Sequence, residues 1–246
     1  MNSYQDEVLI LQVNNWENDN KKAICFSRGH GKIVFIAYGA RYPKSREGRL
    51  IQPFACLHAE FYPGHSVEKL KSCELAAPMP QLDLNRLAYG FLMAESTDLL
   101  TEPGEASEGL YILLKQALSL LAARNPRLAA LAYLIQLLDY CGIGPVYEVC
   151  VSCGRQAVGG GWFCEEQGGF LCEACHSGRG RTEALLPFPE ETRKLWQQLR
   201  MLNFGSPGNF TVKGGVLMEL ERILHRYLVY QAEHPLKSLD FIRQIF

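Results

Sequence analysis

The chain has 246 residues, of which 48% are hydrophobic and 21% are charged, and its formal net charge is −1. This composition excludes a disordered chain, and the length fits one large or two ordinary domains. No apolar run approaches the roughly 18 residues that a membrane-spanning helix needs, and the first residues lack a signal-peptide pattern. We therefore expect a cytoplasmic protein without a membrane partner, whose nine cysteines serve as buried thiols or metal ligands.

The first 80 residues predict a small β-barrel. Short apolar runs are separated by turn residues such as Asn14-Asn15 and Pro63-Gly64. The runs predict five strands, at residues 8–13, 23–26, 32–38, 55–62 and 67–75. Five strands without a helix between them are typical of a closed oligonucleotide-binding (OB) barrel, and closure removes exposed strand edges. A Src-homology-3-like barrel or a small sandwich fits the same periodicity.

Charge is distributed unevenly along this part. Residues 1–20 hold four acids and no lysine or arginine, whereas residues 21–49 hold eight lysines and arginines and one acid. Such a polarised surface indicates a charged partner. Six of the cations and two tyrosines form the candidate nucleic-acid site: Arg28, Lys32, Tyr38, Arg41, Tyr42, Lys44, Arg46 and Arg49. The cations are expected to neutralise phosphates, and each tyrosine either stacks on a base or packs in the barrel.

Most of these candidates lie in residues 31–54. The strand alternation ends at Gly39, and Pro43, Ser45 and Gly48 then predict a loop rather than a helix. Apolar residues return afterwards. We interpret the segment as a hairpin with an apolar root and a basic tip that binds phosphates, although a solvated turn has the same composition.

Residues 81–246 predict a helical domain. Asp83 is a suitable N-cap for its first helix, Pro126 opens a later one, and Pro189 starts another before a last long helix. The apolar stripes of these helices are more typical of a packed core than of a binding groove. We therefore predict an α+β chain in which an OB-fold domain at residues 1–80 precedes an all-α domain at residues 81–246.

Two Cys-x-x-Cys pairs, Cys150/Cys153 and Cys172/Cys175, are separated by 18 residues. The spacing of two residues within each pair lets both thiolates face one tetrahedral Zn²⁺. Glycines and aromatic residues between the pairs are typical of a small two-stranded ribbon. We predict a zinc-ribbon insert at residues 148–178 that holds one structural Zn²⁺, because so small a segment needs a metal to fold.

Two spare donors, Cys164 and His176, leave a site of three cysteines and one histidine open, and disulfides are a further alternative. The sequence contains no Ser-His-Asp pattern, phosphate-cradling glycine loop or paired-carboxylate motif. A closed site of four thiolates has no open coordination position, which argues against a zinc hydrolase or nuclease. We therefore predict that the protein is not an enzyme.

Motifs in three parts of the chain occur together. They are Gly39-Ala-Arg41-Tyr-Pro43-Lys44-Ser45-Arg46 with Leu50-Ile-Gln52-Pro53-Phe54, the two Cys-x-x-Cys pairs with Gly154, and Pro235-Leu236-Lys237-Ser238. In order and spacing they resemble the bacterial RecO family of recombination and repair proteins, over essentially the whole chain. Tyr42 departs from the basic residue expected at this position in many relatives, so one phosphate contact is replaced by a possible stacking ring.

The resemblance implies an OB barrel, a helical domain and a zinc ribbon, with the metal on the four cysteines. It also implies a nucleoid-associated protein that binds single- and double-stranded DNA and anneals complementary strands. Together with RecR, such a protein helps to load the RecA recombinase onto strands coated by the single-stranded-DNA-binding protein (SSB). The alternative is a zinc-containing scaffold that acts mainly through protein contacts, its helical domain taking up the acidic, apolar C-terminal tail of SSB.

Overall fold

The N-terminal part folds as a closed five-stranded barrel. The computed structural model describes residues 2–177, 185–209 and 211–245. The strands are β1 (Tyr4–Trp16), β2 (Asn20–Ser27), β3 (Gly31–Ala37), β4 (Cys56–Tyr62) and β5 (Glu68–Leu75), in the order β1-β2-β3-β5-β4. Neighbouring strands are antiparallel except β3 and β5, which are parallel. The prediction of a five-stranded barrel is confirmed, and β1 extends beyond both predicted ends.

The middle of β1 is buried on both faces. Val8 and Ile10 point into the barrel core, where they meet Phe35. Leu9 and Leu11 point out of the barrel and belong to the core of the helical domain. Side chains alternate between the two faces of a strand, so a strand covered on both sides has an unbroken apolar run. The run from Val8 to Leu11 therefore joins the two domains.

The segment between β3 and β4 differs from the predicted loop and hairpin. Arg46–Leu50 form the short helix α1, and the side chain of its N-cap Ser45 accepts a hydrogen bond of 3.0 Å from Gly48 N. Gly48 does not end this helix but lets it pack closely on Ala40, because a Cβ at Gly48 would lie 1.7 Å from the Ala40 carbonyl oxygen. The hairpin prediction is also wrong, since β5 lies between β3 and β4.

Three helices follow the barrel: α2 (Leu84–Leu100), α3 (Glu108–Ala123) and α4 (Pro126–Tyr140). The Asp83 side chain caps α2 by accepting a hydrogen bond of 2.8 Å from Arg86 N. Asn125 caps α4 with Pro126 in its first turn. Both predicted helix starts are confirmed. A capping side chain accepts from a free backbone N–H group of the first turn, and a proline in that turn has no N–H group to satisfy.

The insert contains β6 (Gly161–Cys164), β7 (Gly169–Leu171), the short helix α5 (Glu173–Ser177) and β8 (Leu186–Phe188). Its sheet has the order β7-β6-β8, so the predicted two-stranded ribbon has a third strand from beyond the predicted insert. Phe163 and Phe170 belong to the core of the helical domain, which fixes the insert to that domain. The predicted last residue of the insert, residue 178, lies outside the described residues.

The chain ends with α6 (Glu190–Arg200), α7 (Gly214–Ala232) and α8 (Lys237–Ile245). Pro189 precedes α6 as predicted, whereas α8 was not predicted. The carboxylate of Glu95 in α2 accepts hydrogen bonds from the backbone nitrogens of Lys237 at 3.0 Å and Ser238 at 2.8 Å. Because α2 supplies this cap, no local signal marks the start of α8. None of the helices in the described ranges is long and apolar enough to cross a membrane.

Candidate nucleic-acid interface and metal centre

Four of the predicted cations, Arg41, Lys44, Arg46 and Arg49, are exposed in the loop after β3 and in α1. We call this segment, residues 38–50, the basic loop. The turn between β1 and β2 holds this loop in place. The backbone nitrogen of Arg41 donates to the Asp19 carbonyl oxygen at 2.9 Å, and its Nη1 atom donates to the Asn18 carbonyl oxygen at 2.6 Å. The loop is therefore a supported surface rather than an isolated tip.

Lys21 supports the same surface from below, a role that the sequence analysis missed. Its Nζ atom donates to the carbonyl oxygens of Gly48 at 2.7 Å and Ile51 at 3.1 Å. These carbonyls lie at the C-terminal end of α1, where a cation is favourable. Burial lowers the pKa of the Lys21 amine. The sequence showed only one more lysine in a basic run, because the α1 carbonyls that bind it come from a helix that was not predicted.

Both candidate tyrosines lie on the surface and not in the barrel core. Tyr38 is 61% exposed and Tyr42 is 58% exposed. A hydrogen bond with Asp19 raises the pKa of the Tyr42 hydroxyl, and the negative charge of Asp19 adds to this effect. The rings are thus open to contact with a base.

Arg28 and Lys32 lie apart from the other four cations, at the opposite end of β3, a strand about 20 Å long. Arg28 forms an ion pair of 2.5 Å with Glu108 of α3. Lys32 donates to the Asp98 carbonyl oxygen at 2.5 Å and lies 3.3 Å from its carboxylate, with only 12% of the Lys32 side chain exposed. Arg28 and Lys32 thus lie away from the other four predicted cations and bind the helical domain instead.

Trp16 and Lys22 add an aromatic–cation pair beside the basic loop. The Nζ atom of Lys22 lies 4.7 Å from the centroid of the Trp16 ring, which is 38% exposed. The two residues come from adjacent strands, as Lys22 pairs with Asn14 of β1. The sequence places them only six positions apart across a predicted turn, and strand register is needed to show that they meet.

The four cysteine thiols of the insert converge. The Sγ atoms of Cys150, Cys153, Cys172 and Cys175 all lie within 4.8 Å of one another. The Sγ atoms of Cys153 and Cys172 are 3.9 Å apart. Tetrahedral zinc with Zn–S bonds of about 2.3 Å requires sulfurs about 3.8 Å apart, so the four residues fit the ion.

Hydrogen bonds favour the thiolate form of two of these cysteines, Cys150 and Cys153. Cys172 N donates to the Cys150 Sγ atom at 3.4 Å, and Arg155 Nε donates to the Cys153 Sγ atom at 3.3 Å. The side-chain hydrogen bond from Arg155, followed by one from its backbone, lowers the pKa of Cys153 to about 6. Neither Cys164 nor His176 belongs to the group of thiols that could hold a metal in the described residues.

Comparison with known proteins covers nearly the whole chain. The family model "Recombination protein O N terminal" matches residues 1–79, and "Recombination protein O C terminal" matches residues 81–240. The chain belongs to the RecO family. The resemblance drawn from the motifs is thus confirmed. Of the RecO motifs, residues 39–46 build the exposed loop and the first residue of α1, and residues 235–238 lead into α8.

Curated relatives named DNA repair protein RecO match along most of their length. The protein of Moorella thermoacetica is 30% identical, over 98% of this chain and 91% of its own length. The protein of Symbiobacterium thermophilum is also 30% identical, over 97% of this chain and 96% of its own length. The protein of Pelotomaculum thermopropionicum is 28% identical, over 98% of this chain and 94% of its own length. The similarity therefore extends over both RecO domains.

Proposed function

We propose that this RecO-family protein binds single- and double-stranded DNA in repair and recombination and anneals complementary strands without making or breaking bonds. We further propose that, with RecR, it helps to load RecA onto single strands coated by SSB. Such work places it with the chromosome in the bacterial cytoplasm. RecO is a recognised family of non-enzymatic recombination mediators, which agrees with the sequence-based prediction that the protein is not an enzyme.

The observation that carries the proposal is the exposed basic surface formed by Arg41, Lys44, Arg46 and Arg49. It lies on an OB barrel beside two exposed tyrosines, and the turn between β1 and β2 braces it. In OB folds the turn between β1 and β2 is one of the loops that bind oligonucleotides, and here it contacts the basic surface directly. Because Arg28 and Lys32 already bind acids of the helical domain, they are minor contributors in this proposal.

Annealing follows from the same chemistry. Cations that neutralise phosphates release counterions and reduce the repulsion between two strands. Contacts to phosphates leave the base edges free, so that a second strand can pair with the first. The protein then contributes affinity and proximity, and base pairing supplies the sequence match. No ionisable group has to act as an acid or a base in this mechanism.

Reversing the charge of Arg41, Lys44 and Arg46 together, by substitution with Glu, tests the proposal. We expect weaker DNA binding and a slope of log affinity against log salt that is reduced by about two to three. Fluorescence anisotropy across a salt series measures both quantities. Annealing of labelled complementary strands, with and without SSB, is expected to slow in parallel.

A matched control reverses three exposed cations of the helical domain, Arg124, Lys194 and Lys213, and changes the net charge by the same amount. This control is expected to keep both the affinity and the salt slope of the unchanged protein. Circular dichroism verifies that both variants are folded. Equal DNA affinity in the loop variant and the control would show that the basic surface does not bind DNA.

We also propose that Cys150, Cys153, Cys172 and Cys175 hold one structural Zn²⁺. The support is the convergence of four thiols at spacings that suit tetrahedral zinc, with hydrogen bonds to two of the sulfurs. Bound there, zinc would supply cross-links and no chemistry, since all four coordination positions are occupied by protein. The ion would tie α5 and the Cys150 turn to the three-stranded sheet.

A second function, binding of an acidic protein tail, is favoured by a groove between α7 and α8. The groove has a volume of about 470 Å³, and its lining includes the apolar residues Met218 and Leu239 beside Arg222 and Arg243. Apolar walls next to cations suit a tail that ends in acidic and apolar residues. The RecO resemblance assigns such a tail to SSB, so we propose this groove as its site.

Titration of the labelled SSB tail peptide tests this second function. Arg222→Glu is expected to weaken tail binding and to leave DNA affinity unchanged. Arg49→Glu, in the barrel, is the matched control. It is expected to weaken DNA binding and to leave tail binding unchanged. A tail that binds the Arg222 variant as tightly as the unchanged protein would exclude the groove.

A further inference from the structure

A row of paired residues crosses the outer face of four barrel strands. Lys22 of β2 pairs with Ile36 of β3, Ile36 pairs with Lys69 of β5, and Lys69 pairs with Tyr62 of β4. Directly paired residues project from the same face of a sheet. That face is the outer one, because residues next in sequence, such as Phe61, lie in the barrel core. We call these four residues, with Trp16, the barrel row.

Each end of the barrel row carries an aromatic ring with a lysine over it. Lys22 Nζ lies 4.7 Å from the centroid of the Trp16 ring, and Lys71 Nζ lies 5.6 Å from that of Tyr62. Trp16 and Tyr62 are both 38% exposed. Cation–π contacts of this kind hold a ring in place while its outer surface stays open. From β2 to β4 the row spans three strand spacings, or about 14 Å.

The position of the barrel row matches the surface on which OB folds take up single strands. It lies between the turn that joins β1 to β2 and the turn that joins β4 to β5, on the outer face of strands that include β2 and β3. OB folds bind oligonucleotides on this face and between these two turns. Tyr38, two residues after Ile36, extends the same face towards the basic loop.

We propose that a single DNA strand follows the barrel row, with one base stacked on Trp16 and another on Tyr62. This inference rests on the proposed function, because it requires that the barrel binds DNA. Glu60 holds Lys71 at 2.7 Å, whereas among the described residues no acid forms an ion pair with Lys22 or Lys69. These two lysines therefore meet the phosphates.

The arrangement favours a single strand over a duplex. Every base has a π-face on which an aromatic ring can stack, so stacking tolerates any sequence. In a duplex those faces are already covered by neighbouring base pairs. The cations of the basic loop, by contrast, contact phosphates and so serve both kinds of DNA. The barrel row thus supplies the preference for unpaired strands, and the loop supplies the general affinity.

The test compares an oligothymidylate with an abasic strand of the same length, using the full-length protein. Trp16→Ala and Tyr62→Ala are each expected to weaken binding of the oligothymidylate by about fivefold or more, the effect of losing one stacked base. Neither variant is expected to change the affinity for the abasic strand. Trp16→Phe keeps a ring and is expected to retain most of the affinity. Tyr140→Ala, at a residue 53% exposed on α4, is the control.

Tryptophan fluorescence gives a readout that would not change on DNA binding if Trp16 had a purely structural role. Stacking on Trp16 is expected to quench its emission when oligothymidylate binds, and Trp16→Phe is expected to remove this quenching. Unchanged oligothymidylate affinity in both alanine variants, or equal losses on the abasic strand, would overturn the barrel row and leave the proposed function standing. If the unchanged protein binds neither strand, both proposals fail.

Discussion

The Nζ atom of Lys115 lies 2.6 Å from the Oε1 atom of Glu7 and so joins α3 to β1. The same oxygen accepts a hydrogen bond of 2.7 Å from the Tyr111 hydroxyl. Burial by itself raises the pKa of the Glu7 carboxyl, but the hydrogen bonds from Lys115 and Tyr111 outweigh it and leave the pKa lowered. The ionised carboxylate therefore stabilises the contact between the barrel and the helical domain.

We expect Glu7→Gln to lower the free energy of unfolding by about 1–2 kcal/mol at neutral pH, because charged hydrogen bonds are lost. The folded pKa is lower than the unfolded one, so this stabilisation is complete above the unfolded pKa of about 4.5 and disappears as the pH falls through the folded pKa. Urea unfolding at neutral pH and in acid measures the difference. Glu17→Gln, in the exposed turn, is the control. A difference that persists in acid would contradict the prediction.

Lys32 and Arg49 are expected to have separable roles. Lys32→Met removes the contact with Asp98, so we expect a lower melting temperature and an unchanged salt slope of DNA binding. Arg49→Gln is expected to reduce that slope by about one and to leave the melting temperature unchanged. Thermal unfolding and anisotropy on both variants make the comparison. A reduced salt slope for Lys32→Met would show instead that Lys32 contributes to DNA binding.

Gly48→Ala is expected to disturb α1 and the basic loop. A Cβ at this position would lie 1.7 Å from the Ala40 carbonyl oxygen, so backbone has to move. We expect a loss of about 1–3 kcal/mol in unfolding free energy and weaker DNA binding. Gly215→Ala, in the first turn of α7 with nothing within 4 Å, is the matched control and is expected to be neutral or stabilising. Equal stability of the two variants would contradict the close approach.

His225 is expected to make stability depend on pH. Burial, followed by the nearby charges of Arg127 and Arg243, lowers its pKa to about 4, against an ordinary value of 6.5, although Glu221 acts in the opposite direction. Between these values the unfolded chain binds the proton and the folded chain does not, so stability falls as the pH drops from 6.5 to about 4. The loss is on the order of 3 kcal/mol. His225→Gln should flatten the dependence measured by urea unfolding, whereas His234→Gln, at an exposed site, should preserve it.

The proposed zinc site predicts one zinc ion per chain by native mass spectrometry. We expect Cys175→Ser to lose the ion and to lower the melting temperature, since Cys150, Phe163 and Phe170 of the insert belong to the core of the helical domain. Cys141→Ser, outside the thiol group, should keep the ion. DNA affinity should survive metal loss because the basic loop lies in the barrel. A Cys175 variant that retains zinc would require a different set of ligands.

Local patterns predicted the elements that local chemistry determines. The two-residue alternation located all five strands of the barrel, and Asp83 and Pro126 marked helix starts because they act within one turn. The spacing of the two Cys-x-x-Cys pairs likewise identified the four thiols that converge in the structure. In each case the partners lie close in sequence or share a fixed spacing.

Contacts distant in sequence were beyond those patterns. Barrel closure places β5 between β3 and β4, and α8 begins on the Glu95 carboxylate of α2. The division of the cations has the same origin, since Lys32 lies at the end of β3 that packs near α2 and binds Asp98 there. Composition alone showed a basic stretch, and only the packing shows which of its charges face solvent.

Because β1 is buried on both faces, the barrel is not expected to fold as an independent domain. Without the helices, the barrel would expose Leu9, Leu11 and Phe26 as an apolar patch. An isolated N-terminal fragment should therefore aggregate or require a fusion partner. In the intact chain this shared core is expected to hold the barrel and the helical domain in one arrangement. We therefore expect the basic loop and the groove between α7 and α8 to keep a constant separation, so that one protein molecule presents its two proposed binding sites at a fixed distance.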